Sequence, residues 1–342
     1  MVGRLAIALF ALPSAVYAQA RKPAPTALTE RNVGAAITRF PTKIPRSGPI
    51  ALQLQILLDR AGFSPGIIDG TWGTNAAKAV TFFTKPDDAG RFEGDSPPEA
   101  ISVDRETYER LLAAAPQKPL LRWYTVTSAD LAGPFTPIPE GVYDQAKLKC
   151  LCYSSPAEAL GERFHSSPKF LGQLNPKVKF EALKAGTRLL VPNVELDGSA
   201  LPQDTAIAAR LIISKKKNWT HVIDSNGKII YHFPSTLGAG YDPSPTGDFK
   251  ISDVSRDTPF RYQPKLFSEV PDSKPEALLP PGPNSPVGIV WISLSKKHYG
   301  IHGTSSPETI GYASSHGCVR LTNWDALRLS QIVESGTPVS FR

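Results

Sequence analysis

Beyond residue 12 the sequence has no apolar run approaching twenty residues, which excludes a membrane-spanning helix from the mature chain. It carries no nucleic-acid-binding motif. It has no H-E-x-x-H pattern either, and no third or fourth ligand stands at suitable spacing beside its one isolated cysteine and the two nearby histidines, so a zinc site is set aside. Cysteines number only three: Cys150, Cys152 and Cys318. Basic residues are in excess, with a net charge of +7, yet they cluster only at Lys215-Lys216-Lys217. That run reads as a solvated turn or strand edge rather than a binding patch.

What is abundant is proline, at 33 residues, which favours turns, linkers and short strands over a helical bundle. A hydrophobic content of 41% against 20% charged is ordinary for a globular protein, and 342 residues suggest two or three domains. Residues 1–18 read as a secretory signal: Arg4 is the charged start, Leu5 to Leu12 the apolar stretch, and Val16-Tyr17-Ala18 the small-residue exit. The segment lacks cysteine, which argues against a lipid-anchored product. Export to the periplasm or cell wall is therefore expected. There an odd cysteine stands out. A Cys150–Cys152 bridge leaves Cys318 free; two buried free thiols fit equally well.

Residues 19–46 read as a flexible linker. A helical unit is expected over 47–115. Leu54, Leu57, Leu58 and Ala61 keep helical spacing and stop at Gly62. Thr74 is the expected cap of a helix bearing Ala76, Val80 and Phe83, and Asp104 the cap of one bearing Tyr108, Leu111 and Leu112. Over 122–193, strands near Trp123 and Thr187–Val191 flank two short helices, Pro156–Phe164 and Pro168–Leu174. From 206 to 342 the texture is mainly β. Asn226-Gly227 marks a hairpin. Val254 to Pro286 reads as a long lid or binding loop, and one helix is expected at Asn323–Glu334.

The stretch HYGIHGTSSPETIGYASSHGCVRL concentrates chemistry. A cysteine nucleophile acts as thiolate and needs a proton acceptor or a cationic neighbour. His302 is the expected base for Cys318. His316, two residues before the cysteine, is expected to share a strand face with it. Gly317 leaves room for a substrate carbonyl, and amides around residues 316–318 can form an oxyanion hole. Tyr299 and Tyr312 are further cleft candidates, while His165, His221, His232 and His298 receive no task.

LQILLDRAGFSPGIIDGTWGTNAAKAVTFF resembles a peptidoglycan-binding helical domain, though it also fits a plain helical bundle. ALGERFHSSPKFLGQLNP with LKAGTRLLVPN is similar to the later part of a LysM module; the residues around Phe135 to Tyr153 are an insertion there, and a spacer domain fits as well. His302-Gly303-Thr304, Ser315-His316-Gly317-Cys318-Val319-Arg320 and the upstream Pro245-Thr246-Gly247 resemble the L,D-transpeptidase (YkuD) catalytic domain. That resemblance implies Cys318 as nucleophile, His302 as base and His316 in support. Gly317, Ser315, Arg320, Gly303 and Thr304 would then hold the loop or place substrate. It further implies a cofactor-free exchange on peptidoglycan stem peptides through a thioester, giving 3→3 cross-links or attaching a lipoprotein. Rival readings are an L,D-carboxypeptidase, an exported cysteine peptidase and a non-catalytic wall-binding protein.

Overall fold

The computed structural model describes residues 27–86, 102–114, 119–194, 208–267 and 269–342, so the expected signal segment lies outside it. Residues 27–46, expected as a tether, carry helix α1 (Glu30–Val33) and strand β1 (Thr42–Lys43). They are tied down because Val33 and Ile44 are buried and the Val33 carbonyl accepts from Gln53 Nε2 at 2.7 Å.

Helix α2 (Pro49–Arg60) opens on a proline whose missing N–H would have no helical partner anyway. It ends before Gly62, whose φ of +83° suits glycine; a Cβ there would lie 2.7 Å from the Tyr231 ring. Helix α3 (Thr74–Thr84) starts at Thr74 itself, with Gly73 as an N-cap that offers no side-chain bond, so the threonine is not the cap. Strand β2 (Ser102–Val103) pairs antiparallel with β1. Helix α4 (Arg105–Ala114) is capped as its sequence predicts, with Thr107 N donating to Asp104 Oδ1 at 2.7 Å. Leu112 faces solvent, unlike its neighbours Tyr108 and Leu111.

The middle segment folds as strand β3 (Leu121–Thr125), helices α5 (Val142–Gln145), α6 (Pro156–Arg163) and α7 (Pro168–Leu174), and strand β4 (Arg188–Pro192), antiparallel to β3. Ser155 and Ser167 cap α6 and α7 by accepting from Glu158 N and Phe170 N. Its core of Leu121, Leu160, Phe164 and Leu189 merges with Leu52 and Ile56 of α2.

The remainder is mainly β. Strands β5 (Arg210–Ser214), β6 (Trp219–Ile223), β7 (Ile229–Pro234), β8 (Gly247–Arg256), β11 (Val290–Leu294), β12 (Gly300–His302), β13 (Val319–Arg320) and β14 (Pro338–Phe341) form one sheet in the order β13-β12-β11-β8-β14-β5-β6-β7. Only β12–β13 and β14–β5 run parallel. Strands β9 (Phe260–Tyr262) and β10 (Ala277–Leu279) form a separate hairpin. The segment 254–286 is thus no featureless loop: residues 254–256 finish β8, and the hairpin orders much of the remainder.

Helix α8 (Asn323–Ile332) buries Ala326 and Leu329 against the sheet face formed by Ile251, Ile292, Ile301 and Val319. On β5 to β7 the opposite face is buried too, where Ile212, Trp219 and Ile229 meet Leu57, Val80 and Phe83. Two covered faces explain why these strands read as nearly unbroken apolar runs. The same contact buries Lys217, whose carbonyl accepts from Lys78 Nζ at 2.6 Å, so the lysine run is only partly solvated. The edge of β7 is closed by residues 62–64: Ser64 N donates to the His232 carbonyl at 2.8 Å and His232 N to the Gly62 carbonyl at 3.0 Å.

The three parts share a buried polar junction. His165 Nδ1 lies 2.8 Å from Asp59 Oδ2, Arg328 Nη2 lies 3.4 Å from Asp59 Oδ1, and Ser64 Oγ donates to Asp325 Oδ2 at 2.8 Å. Salt-bridge and hydrogen-bond partners hold the Asp59 carboxyl down to about 2 despite its burial. His165 thus acts as a joint between parts of the fold. His221 and His232, bonded at 3.1 Å and packed on Phe82, fill the other contact.

Candidate active site

Strand register sets the site. Ile301 pairs with Val319 and His302 with Arg320, while Trp291 on β11 sits opposite His302. Ile301, Val319 and Leu321 point into the core under α8. Alternation therefore sends His302, Arg320 and Trp291 to the other face, where Cys318, two residues before Arg320, joins them. All four line a cavity of about 530 Å3.

Cys318 is the only free cysteine and is half-buried. Its Sγ lies 3.7 Å from the His298 carbonyl. Burial pushes the thiol above its usual range, while the Gly300 amide and the Arg320 charge pull it back. His302 is 4% exposed, stacks on Trp291 with ring centroids 5.4 Å apart, and places Nδ1 2.6 Å from the Gly303 carbonyl. A carbonyl only accepts, so Nδ1 carries the proton and Nε2 keeps its lone pair. Burial first, then the Arg320 charge, hold this imidazole down to about 3. At neutral pH the ring is an uncharged proton acceptor in the same cavity as a protonated thiol.

The loop before the cysteine is held from both sides. Ser315 Oγ donates to the Cys318 carbonyl at 2.6 Å, and Ser244 Oγ to the Gly317 carbonyl at 2.8 Å. Arg320 exchanges two 2.9 Å backbone bonds with Thr236. Gly317 has φ +98°, and a Cβ would meet the Tyr299 ring at 3.0 Å, so glycine is required. Among the described residues, the amides of 316–318 donate to no backbone carbonyl in a turn or loop, which keeps them available to an oxyanion.

His316 departs from expectation. Because Gly317 breaks the strand and β13 begins only at Val319, the ring does not share a strand face with Cys318. It reaches across the cleft instead, with Nε2 2.7 Å from Glu269 Oε1 and the ring against Phe267. Asp242 adds a carboxylate oxygen as the third ligand atom of this group, a set of the kind that can hold a cation. Gly303 and Thr304 lie behind the cavity wall, where Thr304 N donates to Asn323 Oδ1 at 3.1 Å. Tyr299 packs beneath Gly317, and Tyr312 is 62% exposed beside a different cavity near Asn75.

Several wall residues had no motif to announce them: Trp291, His298 at φ +68°, and the apolar residues Phe260, Tyr262 and Phe267 of the 254–286 segment. Period-two alternation in Val290–Leu294 was the one available signal for Trp291. The middle segment also contributes, through Val142 and Gln145 of α5. Residues 143–151 of this segment dock on residues 275–284: Leu151 N donates to the Pro281 carbonyl at 2.9 Å, Asn284 N to the Leu151 carbonyl at 2.8 Å, and Tyr143 Oη to the Pro275 carbonyl at 3.0 Å. Cys150 and Cys152 are disulfide-bonded on either side of Leu151, settling the alternative left open by the sequence.

The profile of the L,D-transpeptidase catalytic domain (YkuD) matches residues 208–340. YkuD of Bacillus licheniformis is 30% identical over 183 residues, 54% of this chain and 91% of its own length. YkuD of Bacillus subtilis is 32% identical over 177 residues, 52% of this chain and 87% of its own. YbiS of Escherichia coli strain K12 is 26% identical over 205 residues, 55% of this chain and 60% of its own. These alignments are longer than the segment 208–340, so they reach back into the middle segment.

Proposed function

Since this chain belongs to the L,D-transpeptidase family, we propose that it is an exported cysteine acyltransferase of peptidoglycan with Cys318 as nucleophile and His302 as general base. Among the described residues no helix is long and apolar enough to cross a membrane. The observation that carries the reading is the gathering of Cys318, neutral His302 and Arg320 on one sheet face inside a single cavity.

In this mechanism His302 Nε2 takes the thiol proton as Sγ attacks the carbonyl of the third stem residue. The amides at 316–318 stabilise the oxyanion, and Arg320 offsets negative charge at the cysteine. Collapse forms the thioester and releases the terminal D-alanine, whose nitrogen takes the proton from His302. A side-chain amine of a second stem then attacks the thioester, passing a proton through His302 to the departing sulfur. The result is a 3→3 cross-link. The thiolate leaves readily and the energy of the broken peptide bond is retained, so no nucleotide is consumed.

Purified protein and a Cys318→Ala variant, each incubated with disaccharide tetrapeptide and read by mass spectrometry, test this. A dimer lighter than two monomers by one D-alanine, absent with the variant, is the expected product. Tripeptide without dimer would make the enzyme a carboxypeptidase; an amide bond to a lipoprotein lysine, formed when that acceptor is supplied, would identify the other transfer. Unchanged substrate with retained binding to peptidoglycan would make the chain a wall-binding protein.

A further inference from the structure

Asn323, the first residue of α8, is wholly buried and faces two parts of the molecule at once. Its Oδ1 accepts from Thr304 N at 3.1 Å and Ile289 N at 3.3 Å. Its Nδ2 donates to both carboxylate oxygens of Glu162 at 3.1 Å each, and to the Pro283 carbonyl at 3.2 Å. Glu162 belongs to α6 of the middle segment, 161 residues away in sequence, and is itself 8% exposed. Tyr153 Oη donates to the same carboxylate at 2.9 Å.

The two ends of an amide side chain are chemically opposite, and an ionised carboxylate only accepts. Glu162 therefore holds the Asn323 nitrogen toward itself and the oxygen toward Thr304. A flipped amide would set oxygen against carboxylate and N–H against N–H. The pocket for this amide depends on two glycines, because a Cβ on Gly303 would lie 2.1 Å from Asn323 Oδ1 and one on Gly288 would lie 2.0 Å from it.

The effect passes to the base through a single peptide plane. The Thr304 N–H held by Asn323 and the Gly303 C=O that receives His302 Nδ1 are the two ends of one planar group. Fixing one end fixes the direction of the other. We propose that Glu162 is a positioning residue for acyl transfer: through Asn323 it orients the Gly303–Thr304 peptide, which holds His302 with its proton on Nδ1 and its lone pair on Nε2. The proposal rests on the reading of Cys318 and His302 as nucleophile and base. It makes the middle segment part of the reaction apparatus as well as any role it has in binding the wall.

Burial pushes the Glu162 carboxyl up to about 7, held back by the bonds from Tyr153 and Asn323 and raised further by Glu158. Protonation removes one acceptor from the fork and weakens its grip on Asn323.

The test compares the full chain with Glu162→Ala and Glu162→Gln. The 15N shifts of the His302 imidazole report the tautomer whether or not turnover is found, so failure of the positioning role is separable from failure of the transferase reading. The expected result is protonated Nδ1 in the wild type and mixed tautomers in Glu162→Ala. With tetrapeptide, Glu162→Ala should lower kcat on the order of tenfold to a hundredfold, with KM within about twofold. Glu162→Gln, which keeps one acceptor oxygen for Asn323, should recover most of the rate and flatten any pH dependence near 7. A folded Glu162→Ala protein with an unmoved tautomer would overturn the proposal. So would equal losses in both variants that track only their folded fraction.

Discussion

Glu269 Oε1 and His316 Nε2 meet at 2.7 Å across the mouth of the cleft and join the 254–286 segment to the loop that carries Cys318. The Glu269 side chain is 56% exposed, so this bond is a weak fastening, on the order of 1 kcal/mol or less. Glu269→Ala should therefore raise the alkylation rate of Cys318 by a bulky maleimide by up to about fivefold. Iodoacetamide, a smaller reagent, should respond less. Equal effects on both reagents would place the change at the thiol rather than at the opening.

The thiol and imidazole are neutral in the free protein by the directions of their shifts. Alkylation of Cys318 by iodoacetamide should then climb about tenfold per pH unit between pH 6 and 8, as expected for a thiol well below its pKa. A thiolate–imidazolium pair would instead give a flat profile across that range. The raised thiol and the imidazole at about 3 predict the slope.

Replacing the base should separate binding from chemistry. His302→Gln is expected to cut kcat by about two to four orders of magnitude, the usual worth of a positioned proton acceptor. KM for tetrapeptide should change little, because His302 is buried in the wall and grips no part of the substrate ground state. Steady-state kinetics on the purified variant decide this.

At the junction of the three parts, Asp59 is 1% exposed between His165 and Arg328. Removing the carboxylate leaves a buried guanidinium without its partner, so Asp59→Ala should cost about 3–5 kcal/mol in chemical denaturation. Loss of cooperativity alongside the lower midpoint is expected, since the helical, middle and β parts share this contact.

Two other buried carboxyls set a pH dependence of stability. Glu162 and Asp325 are raised from 4.5 and 3.8 to about 7 each, so the folded chain binds their protons more tightly than the unfolded chain. Their contribution is fully present below the unfolded values and is lost as pH rises through 7. Asp59 acts oppositely, losing its contribution as pH falls through about 2. The unfolding free energy should rise as pH is lowered from 8 to 5, by up to about 3 kcal/mol per raised group, and the thermal midpoint should rise with it. In the double variant Glu162→Gln with Asp325→Asn the rise should largely vanish.

Local chemistry explains which features were legible in the sequence. The Asp104 cap, the stop at Gly62 and the hairpin at Asn226-Gly227 follow from propensity and turn residues close in sequence. Cys318, His302 and Arg320 sit in one short motif, and register alone brings them to one face. Contacts between distant segments were not legible. The buried side of Lys217 depends on α3, the direction of His316 depends on Glu269, and the role of Asn323 depends on a glutamate in another part of the fold. A motif read along one chain segment has no access to partners supplied from elsewhere.

The hook at Leu151 changes what counts as a separable module. Its amide and carbonyl both bond to the 281–284 strap, and a Cβ at Gly282 would lie 2.3 Å from the Leu151 oxygen. A recombination event that joined the β part to a foreign N-terminal half at residue 208 would break this seam and expose one flank of the cleft. Any viable exchange would have to carry Leu151, Tyr153 and Glu162 along with the sheet, so the unit inherited together is larger than the segment that bears the cysteine.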